Sequence, residues 1–134
     1  MLSMRRLLLS ISLAPVLLVA TLSLPILFTD LDNYEYRAPS NDQFTWEESS
    51  TRCSALGHDW ELPSIYQLAS IYYRQDLVEL APDTDYWSRN TYFGFAFGLN
   101  THSGIASFDR HSDTDHFICT RKIKGSDYAD PYIK

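Results

Sequence analysis

Phe44 to Ser64 reads FTWEESSTRCSALGHDWELPS, and the rest of the chain is arranged around it. Thr45 with Glu48 three residues on fits the capping box, in which each side chain satisfies the other residue's backbone N–H. A helix is therefore predicted over 46–56. Trp46, Cys53 and Leu56 fall near one helical phase and make a buried stripe, and Gly57 is placed to stop the helix. Trp60-Glu61-Leu62-Pro63 follows as a short extended piece. Ser64 with Gln67 makes a second capping box, which opens a second helix over 65–74. Ile65, Leu68, Ala69 and Tyr72 form its inward face.

Downstream the period changes. The segment 75–85 (QDLVELAPDTD) is acidic, is broken by Pro82 and reads as a surface connection. Tyr86-Trp87-Ser88 is a short buried strand. Phe93, Phe95, Phe97 and Leu99 then alternate with Tyr92, Gly94, Ala96 and Gly98, so a strand with its large apolar face in the core is expected. Asn100 to Gly104 has turn chemistry, 105–108 is a further strand, 110–115 is a polar loop, and 116–123 is the last strand, with Phe117 and Cys119 on one face. Two helices followed by an antiparallel meander make an α+β domain.

Outward from this nucleus, the 134 residues have room for one domain and a flanking segment. Leu7 to Phe28 is a run of 22 uncharged, almost wholly apolar residues, preceded by Arg5 and Arg6 and followed by Asp30, Asp32 and Glu35. A run of that length spans a bilayer, which takes about 20 residues. The charge asymmetry puts residues 1–6 in the cytoplasm and the chain beyond Phe28 outside. The expectation is an uncleaved signal anchor over 7–28, a linker over 29–43, a domain over 44–124 and a polar tail over 125–134. The alternative is secretion after cleavage, for which Thr21-Leu22-Ser23 is the best small-x-small site, although it lies inside the apolar run.

The two cysteines are Cys53 in the first helix and Cys119 in the last strand. An even count in an exported domain favours a bridge. A free-thiol, redox or metal pair is the other reading, supported by neither a C-x-x-C nor a third thiol.

Four blocks in order, Trp46-Glu47-Glu48 with Cys53, Trp60-x-Leu62-Pro63-Ser64 with Gln67-Leu68, Tyr86-Trp87-Ser88, and Ile118-Cys119-Thr120-Arg121, resemble the bacterial DUF1566 domain. That domain is also known as the C-terminal domain of the Legionella collagen-like adhesin. The resemblance covers 44–123 and implies a C-type-lectin-like fold, in which a bridge joins the first helix to the last strand. It also implies an extracytoplasmic adhesin or binding module, here at a bacterial inner membrane with the domain in the periplasm. Glu61, Gln67 and Arg89 depart from the residues usual in that family. Enzymatic relatives in the wider fold use a pair of active-site cysteines, whereas both cysteines here are taken by the structural role.

No hydrolase elbow, phosphate loop or dinucleotide fingerprint occurs, so no cofactor is implied. Beyond Phe28, 9 basic side chains face 17 acidic ones, a formal charge of −8 without a basic stripe, which disfavours nucleic acid. His102, His111 and His116 lie near Asp109, Asp113 and Asp115, but their spacing matches neither a zinc signature nor an EF-hand loop. Trp46, Trp60 and Trp87 could line a sugar platform; their places in the fold motifs favour core packing. With apolar positions spent on the core, two polar segments are left to carry recognition: Arg89, Asn90 and Thr91, and Asp109 through His111 to Asp113, as loops on a rigid scaffold. They are expected to meet in one acidic, Arg-containing patch that binds an envelope protein or glycan without catalysis. The competing class is an extracytoplasmic enzyme built from Arg89, Asn90, Asp109, His111 and Asp113.

The charge asymmetry around the apolar run yields a direct test of topology. A periplasm-active reporter fused after Lys134 should be active, and protease added to intact spheroplasts should remove the domain. A domain that survives until the cells are lysed reverses the orientation.

Overall fold

Thr45 and Ser64 start the two helices through reciprocal caps. Thr45 N–H donates to Glu48 Oε2 (3.0 Å) while Glu48 N–H donates back to Thr45 Oγ1 (3.4 Å). Ser64 N–H donates to Gln67 Oε1 (2.9 Å) and Gln67 N–H to Ser64 Oγ (3.1 Å). Helix α1 runs Trp46–Ser54 and α2 Ile65–Tyr73, one or two residues shorter than their apolar periods reach. The computed structural model describes residues 31–125. The apolar segment 7–28 and the tail from residue 126 lie outside them. No helix among the described residues is long and apolar enough to cross a membrane.

Among the described residues five strands accompany the helices: β1 Tyr34–Arg37, β2 Asp85–Tyr92, β3 Phe95–Asn100, β4 Ala106–Arg110 and β5 Cys119–Lys122. They form two antiparallel sheets, β2-β3-β4 and β1-β5. The expected meander is therefore only three strands long. The chain leaves it after His116, whose carbonyl accepts from Trp87 N–H (2.9 Å). Phe117 and Ile118 are both buried but enter different core clusters, one beside Trp87 and Cys53, the other beside Leu68 and Leu99. A strand with apolar side chains on both faces has to run between two layers. The segment leading into β5 does so, and β5 itself is flanked by β1 on one side and by Glu61 on the other, where Glu61 and Thr120 exchange backbone bonds of 3.0 and 2.7 Å.

β1 falls inside the segment read as a linker, which is a correction to that reading. Tyr34 and Tyr36 are half-buried while Glu35 and Arg37 point out, and Glu35 pairs with Arg121 across the ladder. The Tyr-x-Tyr alternation is the period-2 signal of a strand, and polar neighbours mask it. Leu31 already sits in the core at 5% exposure.

β3 supplies the second correction. Its small residues, Ala96 and Gly98, are the buried ones, whereas Phe97 is open to solvent and Phe95 half so. Trp87 lies opposite Gly98 in the ladder, and its fully buried indole takes the space on that face. A Cβ on Gly98 would come within 2.6 Å of the Tyr86 carbonyl oxygen and 2.7 Å of Ser107 Oγ, so no larger residue fits. On the other face Leu99 is covered by α2 through Leu68 and Ile71, and the cover ends there. Phe93 lies in the turn rather than in the strand. Phe93 and Gly94 have φ of 47° and 76°, a pair of left-handed residues that closes the β2–β3 hairpin.

The three tryptophans are spent on the scaffold, as their motif positions imply. Trp87 Nε1–H donates to the Phe44 carbonyl (2.8 Å) and Trp46 Nε1–H to that of Ser88 (2.9 Å). Trp60 carries the guanidinium groups of Arg37 and Arg121 over its ring, at 5.0 and 4.9 Å.

Cys53 and Cys119 are bonded, with Cα atoms 5.3 Å apart, and close a loop of 66 residues. By chain entropy such a loop contributes about 4 kcal/mol. Protein purified without reductant should hold no alkylatable thiol, and replacing either cysteine by Ser should destabilise it by about 2–5 kcal/mol in denaturant titration. Two labelled thiols in that preparation would contradict the bridge.

Candidate functional site

The residues expected to form one patch separate into two groups. Arg89, Asn90 and Thr91 are in β2 rather than in a loop, where a bulge between Trp87 and Thr91 re-aims the strand. Arg89 N–H donates to the Pro63 carbonyl (2.8 Å) and its guanidinium pairs with Glu61. Asn90 Oδ1 accepts from Ile65 N–H (2.8 Å), satisfying a first-turn donor of α2. Both residues thereby lock β2 to the Trp60–Ile65 bend. Thr91 stands exposed opposite Ala96.

The second group surrounds the start of α1. Asp109 is the fourth residue of β4, also opposite Ala96, and its side chain turns inward. His111 Nδ1 lies 3.0 Å from Glu47 Oε1, and its ring stacks on Trp46 at 4.7 Å and 13°. Asp113 Oδ2 accepts from Arg110 N–H (3.1 Å) and so shapes the turn after β4. Asp115 exchanges backbone bonds with Phe44 (3.0 Å each). Among the described residues no hydrogen bond or ion pair links Arg89 to Asp109, His111 or Asp113.

The electrostatics of the second group are unusual. Asp109 Oδ2, Asp115 Oδ2 and His111 Nε2 are buried without a hydrogen-bond partner. Burial, reinforced by Asp109, Asp85 and Asp113, pushes the Asp115 carboxyl up to about 7. Asp115 and Asp85 therefore belong to this group, and sequence spacing gives no sign of Asp85, which comes from the far end of β2. Among the described residues no set of three His, Cys, Asp or Glu side chains is arranged to hold a metal ion.

A third feature lies where sequence reasoning put core. Phe95 and Phe108 stack at 4.9 Å, and Phe97 meets Phe108 at 4.8 Å, all on the uncovered face of β3 and β4. Phe108 is 46% and Phe97 38% exposed, and Phe93 at the hairpin tip is 85% exposed. Tyr92 packs edge-on against Phe93 at 4.5 Å. A bulky residue with φ of 47° is held in a conformation that L side chains seldom adopt. Together these rings make a contiguous apolar patch on a solvent-facing sheet. The clue in the sequence is Gly98 and Ala96: the face bearing small residues is the one that can lie against an indole.

No protein-family model matches the chain, and no curated protein matches it. Solved structures do match. Botrocetin has a TM-score of 0.53 at 11% identity, over 67% of this chain and 91% of its own. EMS16, an antagonist of the collagen receptor integrin alpha2beta1, has 0.51 at 16%, over 70% and 95%. Rhodocetin in complex with the integrin alpha2-A domain has 0.50 at 17%, over 68% and 92%. At these identities the likeness is one of fold, and it is the C-type-lectin-like fold of two helices with antiparallel sheets.

The raised Asp115 carboxyl makes stability depend on pH with a definite sign. The folded form holds its proton up to about 7 whereas an ordinary aspartate loses it near 3.8. Between those values the folded state binds more protons than the unfolded one, so stability falls as pH rises. The melting temperature should drop from pH 5 to pH 8, and Asp115→Asn should flatten that slope and melt higher than wild type at pH 8. A variant that melts lower at pH 8 would refute the assignment.

Proposed function

We propose that the chain is a non-catalytic binding module, held at the outer face of a bacterial inner membrane by its apolar segment 7–28, which takes an envelope protein on the aromatic face of its three-stranded sheet. A glycan is the second class of ligand that such a face accommodates. One observation carries this reading: Phe108 touches both Phe95 and Phe97 on a braced sheet with one side open to water. Covering a Phe side chain fully is worth about 1.5–3 kcal/mol, and aromatic anchors dominate interface energies. Arg110, opposite Phe95 in the ladder, stands on that face in this reading, whereas Thr91 and Asp109 lie on the other side of the sheet with Ala96. The fold likeness supports a protein ligand, because rhodocetin is seen with an integrin domain and EMS16 antagonises an integrin receptor. The resemblance of the four motif blocks to the bacterial DUF1566 domain agrees with this reading.

The tether in this proposal is short. Leu31 is already buried, so only Thr29 and Asp30 separate Phe28 from the folded domain. At about 3.3–3.6 Å per residue that spans about 10 Å, which holds the domain against the membrane surface.

An enzyme reading draws on a separate observation, the Asp115 carboxyl near 7 beside Asp109. The groove of about 840 Å³ does not serve it. That groove is lined by Trp60, Glu61, Arg89 and Lys122 among others, and by none of Asp109, His111 and Asp115.

Full-length protein in mild detergent, with its copurifying partner identified and titrated back, tests the choice. Phe97→Ser with Phe108→Ser should weaken binding about tenfold or more while moving the melting temperature little, since both rings are already half in water. Asp115→Asn should leave binding unchanged. Undiminished binding by the double variant removes the aromatic face from the proposal.

A further inference from the structure

The aromatic face ends at an open sheet edge, and the ladder geometry shows which groups of that edge are unused. In an antiparallel pair, residues that bond inward alternate with residues whose N–H and C=O point away. Asn100 N–H donates to the Ile105 carbonyl and His111 N–H to the Gly94 carbonyl, each at 3.0 Å. The register between them, Ala96 with Asp109 and Gly98 with Ser107, therefore makes Ser107 and Asp109 the inward-bonding residues of β4. Ala106, Phe108 and Arg110 direct their backbone groups outward. The outward groups of Arg110 are taken, because its N–H donates to Asp113 Oδ2 and its carbonyl accepts from Asp113 N–H (2.9 Å). Those of Ala106 and Phe108 have no partner among the described residues.

The opposite edge of the same sheet is closed. Trp87 N–H donates to the His116 carbonyl and Arg89 N–H to that of Pro63. The edge of β5 away from β1 is likewise covered by Glu61. Proteins usually guard an open edge with Lys, Pro or a covering segment. β4, which reads ASFDR, carries none of these along Ala106-Ser107-Phe108.

We propose that β4 pairs antiparallel with β4 of a second copy, about a two-fold axis through Ser107. In that register Ala106 of one copy lies opposite Phe108 of the other, twice. All four free N–H and C=O pairs are then used, and the Asp113 hook is left intact. A shift that centres the axis on Phe108 would instead oppose Ala106 to the already occupied Arg110. The paired stretch Ala106-Ser107-Phe108 is uncharged, so a chain with net charge −6 meets itself here without opposing like charges. The nearest acidic residue, Asp109, comes to lie opposite Ile105, and the two Asp109 residues are about 13 Å apart at 3.3 Å per residue, more than a Debye length in physiological salt. Each Phe108 ring packs on the small Ala106 opposite, and the two aromatic faces become one continuous surface. The pairing rests on the strand edge alone and stands or falls separately from the ligand reading.

The test uses full-length protein in mild detergent, its mass followed by sedimentation over a range of concentrations. Wild type should form a concentration-dependent dimer. Phe108→Pro removes only an outward N–H, since the bonds to β3 come from Ser107 and Asp109, and it should weaken dimerisation at least tenfold with β3 pairing retained. Phe108→Lys leaves the backbone unchanged, should weaken the dimer in the same direction, and serves if the proline variant fails to fold. The register is read by oxidation: Ala106→Cys mixed with Phe108→Cys should cross-link more than either alone, the new thiol being the only free one beside the Cys53–Cys119 bridge. A wild type that stays monomeric overturns the proposal. So does a dimer unaffected by the Phe108 variants, or one in which the Ala106→Cys variant links to itself as readily as in the mixture.

Discussion

The position of β5 governs the rest of this fold. Cys119 at its start is bonded to Cys53 in α1, and the next residue, Thr120, is bonded through its backbone to Glu61 in the bend between the helices. On its other side the strand pairs with β1. One short strand therefore ties the first helix, the interhelical bend and the N-terminal strand together. With Phe117 and Ile118 just before it, the same segment supplies both core clusters. Charged groups around the strand are turned to packing as well, since Arg121 and Arg37 lie over Trp60 while keeping their polar ends in water.

What could be read from the sequence was local chemistry; what could not was the layering. Both capping boxes are short-range signals that need nothing beyond three residues, and both form. The cysteine pair is legible from its even count. The period-2 pattern of 93–99 predicts a strand, which forms from Phe95, but it points to the wrong side as the core, because alternation tells two faces apart and does not say which is covered. That is decided by Trp87 across the ladder, which needs the small face beneath it. The Arg89–Thr91 segment failed as a loop for a related reason: a bulge lets polar residues continue a strand while their side chains serve as fastenings, Asn90 to α2 and Arg89 to Glu61. The electrostatic coupling of Asp115 with Asp85 spans thirty positions and no spacing rule announces it.

Stability has been given up in two adjoining places. A phenylalanine in a left-handed conformation at the tip of the β2–β3 hairpin costs about 1–2 kcal/mol relative to glycine or asparagine, which would hold the same turn unstrained. Behind β4, carboxyl oxygens of Asp109 and Asp115 are buried without partners, and each such group carries a desolvation cost. Both costs fall on the β2-β3-β4 sheet and the segment that leaves it, while the backbone of β5 is bonded on both sides. Local strain and unsatisfied polar groups gather where a surface is shaped for something other than its own fold.

The antiparallel pairing of β1 with β5 also determines how the domain would bear a pull from its N-terminal end. Tension arriving at Leu31 meets the ladder at Tyr34 and Lys122 and works along it towards Arg37 and Cys119. That is a peeling load, which opens the rungs one at a time rather than straining them together. β5 stays in place meanwhile, because Cys119 is bonded covalently to Cys53 of α1. A tug on the chain would thus strip off a four-residue ribbon first, and only then reach Phe44, where paired backbone bonds to Asp115 guard the start of α1.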